Sequence, residues 1–388
     1  MRITLLGFLL LTTMTAGSAA NDTQRLRIAT FNIAMGFEAA GEMSAALQSA
    51  QHERLRLVAA VLQRVRPDIV LLNEFDYDPS IDAAARFNEH FLATSQEGRD
   101  PIAYEHSYRA EVNTGIDSGL DLDGDGKTGG PGDAWGFGHF PGQYGMLVLT
   151  RHPIDRRKSR TFRHFRWSAM PGAARPPNPD GSAFYPDATW NRLRLSSKSH
   201  WDLVVRVGGK DLHLLASHPT PPVFDGPEDR NGRRNFDEIR FWREYTSPDP
   251  APWIEDDEGR HGGLSPNAPF VIAGDLNADP DDGDSRPGAI QQLLDAAWIQ
   301  TACVPSSVGA LDAAREQGGV NEKHSGDPAH DTADFNDRYT GNLRLDYVLP
   351  SANLEVIDCG VFWPAPGLID SDPSKASDHR LVWVDIAL

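Results

Sequence analysis

Leu26-Arg27-Ile28-Ala29-Thr30-Phe31-Asn32 and Ile69-Val70-Leu71-Leu72-Asn73-Glu74, with the segment joining them, decide the fold class. The first stretch alternates apolar and polar side chains, the period of a half-buried strand. The second is a continuous apolar run, as in a strand covered on both faces. Between them Leu55, Val58, Leu62 and Val65 recur at spacings of three and four, one face of an amphipathic helix that Pro67 ends. Strand, helix and strand in this order predict a layered α/β protein.

Working outward, further strands are expected over 144–149, 201–207, 211–216, 270–273, 343–349 and 380–386, and helices over 237–245 and 289–298. The Gly-, Pro- and Asp-rich stretches 112–143, 168–190, 218–236, 247–268 and 304–340 read as loops. Loops this long in a compact domain point to function. No repeat and no break in composition marks a boundary, so residues 21–388 are expected to form one domain.

The start of the chain reads differently. Met1-Arg2, the apolar stretch 3–14 and the small-residue run Ala16-Gly17-Ser18-Ala19-Ala20 have the pattern of a secretory signal peptide over residues 1–20. The expectation is a secreted or periplasmic protein. No later segment is long and apolar enough to span a bilayer, so stable membrane insertion is not expected. With 37 basic and 55 acidic residues the chain carries a net charge of −18, which disfavours passive binding of nucleic acid. Two cysteines, Cys303 and Cys359, exclude a disulfide-rich scaffold and a CxxC zinc motif; in an oxidising compartment they are expected to pair with each other. The sequence sets no oligomeric state.

The expected strand ends carry a recurring kind of residue. Asn32 follows the first strand and Glu74 the second; His218 follows 211–216; Asp275 and Asn277 follow 270–273; Asp346 opens a strand, and Asp378-His379 opens the last. Polar groups at strand ends are where layered α/β folds place binding sites. The hard oxygen donors of Asn32, Glu74 and Asp378 suit Mg²⁺ or Mn²⁺, and no thiolate set for zinc is present. His218, His379, Asp275 and Asp346 supply acid–base groups, and together the set suits metal-assisted hydrolysis of a phosphate ester.

On Thr30-Phe31-Asn32, Asn73-Glu74, the run from Tyr144-Gly145 to Ile154, Ser217-His218, Gly274-Asp275-Leu276-Asn277, Arg344-Leu345-Asp346-Tyr347 and Ser377-Asp378-His379, the chain resembles the endonuclease/exonuclease/phosphatase superfamily. That superfamily includes deoxyribonuclease I-like enzymes, abasic-site endonucleases, inositol-polyphosphate phosphatases and neutral sphingomyelinases. The resemblance implies a four-layer α/β/β/α sandwich and a metal-dependent phosphoesterase. By matching motif it implies Glu74 as principal metal ligand, supported by Asn32, with Asp378 on the metal side. It implies Asp275 as the group that activates water, Asn277 on the phosphate, His379 on the phosphoryl group with Asp346 fixing its tautomer, and His218 protonating the leaving oxygen. Two departures stand out. Ala34 occupies the position where some members carry a second acidic metal ligand. Gln143 and Tyr144 stand where the deoxyribonuclease-like branch has an acidic partner for the second histidine, so His218 has no identified partner.

Secondary signals remain. Tyr144, and Lys198 and His200 within Ser196–Trp201, are candidate substrate contacts, as are Arg230, Arg233 and Arg234. The basic run from Arg151 to Arg166 reads equally as an anion-attracting rim or as a solvated hairpin. Gly124–Gly129 fits GxGxxG spacing, but no strand precedes it and three aspartates would repel a pyrophosphate. Instead Asp121, Asp123 and Asp125, with Gly126, resemble the first half of an EF-hand-type loop, a candidate structural Ca²⁺ site; Gly132 replaces the glutamate at position twelve and Asp133 follows. Three functions compete: a phosphoesterase for a small or lipid-derived ester, a secreted nuclease with nucleic acid as substrate, and a non-catalytic calcium-dependent binding module.

Overall fold

A computed structural model of the chain describes residues 24–249, 251–365 and 375–388. The expected signal peptide lies outside the described residues. In chain order the strands are β1 (Arg25–Asn32), β2 (Ile69–Asn73), β3 (His106–Tyr108), β4 (Met146–Thr150), β5 (Arg160–Thr161), β6 (His200–Val207) and β7 (Lys210–Ser217). There follow β8 (Phe270–Asp275), β9 (Ala333–Asp334), β10 (Asn342–Leu343), β11 (Asp346–Pro350), β12 (Glu355–Phe362) and β13 (Leu381–Ala387).

Two sheets pack face to face. One runs β12-β13-β1-β2-β4-β3 and the other β11-β8-β7-β6-β5. The pairs β1–β2 and β7–β8 are parallel and the remaining pairs in these sheets antiparallel. Strand alternation sorts the side chains into layers. Leu26, Ile28, Ile69 and Leu71 face the second sheet and meet Leu203, Val205, Leu214 and Val271 in the central core. Ala29, Phe31, Val70 and Leu72 face outward and are covered by Leu55, Val58 and Leu62 of the helix Glu53–Val65. Leu215, Ile272 and Leu349, on the far face of the second sheet, are covered by Ile239, Phe241, Trp242 and Tyr245 of the helix Arg230–Thr246. The result is a four-layer α/β/β/α sandwich, with one long helix on each outer face.

Some elements differ from expectation. The second long helix starts at Arg230, inside a stretch read as loop, because its first turns are polar where they border a cavity. The expected strand 343–349 breaks into β10 and β11, since Leu343 pairs with β9 while Asp346 pairs with β8. The helix expected over 289–298 shortens to Gln291–Leu294, and stretch 304–340 contains a helix, Val308–Gln317. Cys303 and Cys359 form a disulfide, tying the segment before that helix to β12. No helix among the described residues is long and apolar enough to cross a membrane.

Candidate active site

The parallel pairs β1–β2 and β7–β8 end at the same edge of the sandwich, and the site is built there. Asn73 stitches the two sheets together: its Oδ1 accepts from the Asp275 amide at 3.2 Å, and its Nδ2 donates to the Ser217 carbonyl at 3.4 Å. Gly274 makes the approach possible, since a Cβ there would lie 2.0 Å from the Ser217 carbonyl oxygen. Only a residue without a side chain lets β7 and β8 finish this close, which brings His218 to Asp275.

Asp275 and Asp346 are register partners across β8 and β11. His379 Nδ1 lies 2.8 Å from Asp346 Oδ2, which also accepts from Thr332 Oγ1 at 2.8 Å. The opposite ring nitrogen, Nε2, is 3.8 Å from Asp275 Oδ2. That same oxygen is 3.4 Å from His218 Nε2 and accepts from Asn32 Nδ2 at 2.9 Å. Asp275 Oδ1 takes the Asn277 amide at 2.9 Å. Asp275, Asp346, His218 and His379 are all buried.

Burial sets the charge states. It pushes Asp275 up to about 6, countered by His379 and reinforced by Asp346. Burial alone would lower His379, but the Asp346 and Asp275 carboxylates outweigh it and hold the imidazolium up to about 10. Burial, with Lys198 and His379 nearby, drops His218 well below the usual histidine range, so at neutral pH it is uncharged. Its Nδ1 has no partner among the described residues, as the missing acidic neighbour in the sequence implies. Asp76, two residues past Glu74, instead holds the backbone amide of Tyr144 at 2.9 Å.

Glu74 follows β2 in a left-handed conformation, φ +60°. Desolvation raises its carboxyl pKa, and its one hydrogen bond is a 3.3 Å contact from Asn32 Nδ2. Hard oxygen donors and an under-compensated, half-buried carboxylate fit a divalent cation. Asp378 is exposed and lines the same cleft as Glu74, Asp275 and His379. Asn32 Oδ1 accepts from the Ala34 amide at 2.9 Å, and its NH₂ faces the Glu74 and Asp275 carboxylates at 3.3 and 2.9 Å.

Two connected spaces open from these groups. A cleft of about 300 Å³ is lined by Asn32, Glu74, His218, Asp275, Asn277, Asp378 and His379. A cavity of about 700 Å³ adjoins it, sharing Glu74 and His218, and takes in Tyr144, Lys198 and Arg234. The acidic loop forms one wall of that cavity. Asp121, Asp123 and Asp133 bring carboxylate oxygens within 4.8 Å of one another. Asp125 is not in that group; its carboxylate accepts the Lys127 amide instead.

Other expectations are corrected. His200 is no substrate contact: it is 1% exposed, bonded to Ser196 Oγ and the Glu238 carbonyl, and packed against Phe241 and Trp242. The basic run is no rim either. Arg151, Lys158, Arg160 and Arg163 pair with Asp68, Asp211, Asp256 and Glu111, and none lines either space. Thr332 and Glu238 are supporting residues that the sequence reading missed. Thr332 lies in an aperiodic loop and reaches Asp346 only through tertiary packing. Glu238 carries no local signal beyond its place on the helix.

A model of the Endonuclease/Exonuclease/phosphatase family matches residues 29–379. No curated protein matches the sequence. The structure is similar to that of an endonuclease/exonuclease/phosphatase from Beutenbergia cavernae DSM 12333, at 21% identity and a TM-score of 0.51, covering 94% of this chain and 72% of that one. Truncated Caenorhabditis elegans TDP2 aligns at 15% identity and a TM-score of 0.43, over 94% of this chain and 98% of that one. Beta toxin 275-280 from Staphylococcus aureus aligns at 13% identity and a TM-score of 0.44, over 92% and 99%. With the family model spanning all seven motifs, from Thr30-Phe31-Asn32 to Ser377-Asp378-His379, the chain belongs to the endonuclease/exonuclease/phosphatase family, whose members are metal-dependent hydrolases acting on phosphate esters.

Proposed function

We propose that this protein is an exported phosphoesterase that hydrolyses a phosphate monoester or diester of a small molecule with Mg²⁺ or Mn²⁺. The observation that carries this reading is the Asp275–His379–Asp346 cluster, set beside Glu74 in a cleft that runs into a walled cavity.

Asp275, raised toward neutrality, takes the proton of the attacking water, because a base works best with a pKa near the working pH. His379 stays cationic and presents Nε2–H to a phosphoryl oxygen while Asp346 holds Nδ1. Asn277, whose Nδ2 donates one hydrogen to the Pro219 carbonyl at 3.1 Å, offers its other hydrogen to a second phosphoryl oxygen. Glu74 and Asp378 would hold the metal, which supplies polarisation of the phosphoryl group when bound. Uncharged His218 gives the leaving oxygen a hydrogen bond, a weaker role than the protonation its motif implies. Calcium on Asp121, Asp123 and Asp133 would brace the cavity wall. The leader-like residues 1–20 and the disulfide support export.

A nuclease reading is favoured by the family alone. Against it stand the net charge of −18 and the acidic side chains Asp279, Asp282 and Asp284 along the cleft, which repel a polyanion. The intact cluster argues against a silent binding module. A Mg²⁺-dependent screen of p-nitrophenyl phosphate, bis-p-nitrophenyl phosphate, phospholipid head-group diesters and plasmid DNA tests the proposal. Hydrolysis of one of the first three and not of DNA is expected; cleavage of DNA alone overturns it.

A further inference from the structure

We propose that Lys198, braced by Arg234, recognises a second anionic group on the substrate, so that this enzyme takes small phosphate esters whose leaving portion carries an additional carboxylate or phosphate. The placement of the scissile group rests on the phosphoesterase reading above; the anion site itself does not.

Lys198 is 5% exposed, and its ammonium has no hydrogen-bond acceptor and no ion pair among the described residues. Burying an ammonium costs several kcal/mol unless opposite charge and hydrogen bonds compensate it. Glu238 is the nearby buried carboxylate; its oxygens accept from the Ser197 and Thr220 amides at 2.7 Å each, and it makes no ion pair with Lys198 among the described residues. Glu74 and Asp275 belong to the catalytic cleft. The side chain therefore stands in the cavity wall with donors to spare.

Arg234 fixes the segment that carries Lys198. Its Nε donates to the Leu195 carbonyl at 2.7 Å, and its Nη2 to the carbonyls of Trp135, Arg194 and Ser196 at 2.6, 3.1 and 3.1 Å. No carboxylate pairs with it, and Nη1 has no acceptor among the described residues. Two cations without carboxylate hydrogen bonds thus line one wall. The cavity's acids are Glu74, where it meets the cleft, and Asp123, Asp125 and Asp133 of the acidic loop, of which Asp125 is exposed and screened by solvent.

Position supplies the rest. The cavity meets the cleft at Glu74 and His218, so a phosphoryl group bound beside Asp275 sends its leaving portion past His218 toward Lys198. A volume of about 700 Å³ suits a small organic molecule. Phe137 and Phe224, 56% and 88% exposed, border it and offer apolar contact to that molecule's body.

Phenyl phosphate and 4-carboxyphenyl phosphate, which differ by one carboxylate, make the test. Binding of each to the full chain is measured by calorimetry in EDTA, and turnover of each in Mg²⁺. A charge-assisted hydrogen bond predicts about tenfold tighter binding of the carboxylated ligand by wild type. Lys198→Met should bring the two affinities within about twofold, and Lys198→Arg should keep most of the preference. Equal affinities in wild type, or a preference that survives Lys198→Met, overturn the inference; the wild-type comparison decides even where a variant fails to fold. Preferential binding without hydrolysis of either ester would overturn the monoesterase form of the phosphoesterase reading and leave the anion site standing. Hydrolysis of both without preference would do the reverse.

Discussion

Asp275 and Asp346 face each other on one rung of the β8–β11 ladder, and His379 spans the gap, 2.8 Å from one and 3.8 Å from the other. Two buried carboxylates this close are tolerated because the imidazolium lies between them. Asp346 therefore acts through His379. Asp346→Asn and His379→Ala should each lower kcat on the order of 10²-fold, and the double variant should be little worse than His379→Ala. Additive losses in that cycle would mean that the two residues do not work as a unit.

Desolvation is the largest influence on Glu74 and raises its pKa, so its environment disfavours the charged form. Removing the charge should relieve the metal-free protein and remove the metal site together. Glu74→Gln is expected to melt above wild type in EDTA, to lose the stabilisation that Mg²⁺ gives wild type, and to lose about 10²-fold or more in activity. A variant with an unchanged Mg²⁺-induced shift in melting temperature would place the metal elsewhere.

The acidic loop makes a sharper prediction than its sequence pattern does. Asp123 belongs to the group with Asp121 and Asp133, whereas Asp125 does not. Calcium should raise the melting temperature of wild type and of Asp125→Ala, but not of Asp123→Ala. Equal shifts in all three proteins would dismiss the loop as a calcium site.

The strand-end residues were legible because each follows or opens an apolar run whose period announces a strand. Their roles came from the motifs shared with the family. What stayed hidden depends on packing between elements distant in sequence. His200 sits among serines and looks exposed, yet the helix Arg230–Thr246 lays Phe241 and Trp242 against it. Asp133 falls one residue outside the calcium-loop template, and only the tight turn Pro131–Asp133 folds it back toward Asp121. Residues 230–236 have no apolar period to betray a helix, for Arg230, Asn231 and Arg234 border the cavity and only Phe236 adds an apolar side chain to the core.

The Cys303–Cys359 disulfide closes a loop across a separation of 56 residues. Loop closure of that length stabilises a fold by about 2–4 kcal/mol. Cys303→Ser/Cys359→Ser should therefore lower stability by that order while leaving kcat close to wild type, because neither cysteine borders the cleft or the cavity. A large loss of kcat in a variant that remains folded would tie the bridge to the site.

The pH dependence follows from Asp275. Its carboxyl is pushed from the ordinary 3.8 up to about 6, chiefly by burial, and a divalent cation bound nearby would pull it back down. A base must be ionised to act, so activity should fall about tenfold per pH unit below an acid limb between those two values. Stability carries the opposite sign. A carboxyl whose pKa is higher folded than unfolded binds more protons in the native state, so its contribution to stability declines as pH rises from about 4 to about 6, then levels. Asp275→Asn does not titrate there. In EDTA the variant should match wild type most closely near pH 4 and melt progressively higher than wild type up to pH 7. Thermal melts at several pH values check this directly. A difference in melting temperature that is constant from pH 4 to 7 would show that Asp275 is not raised, and the base assigned here would be the wrong one.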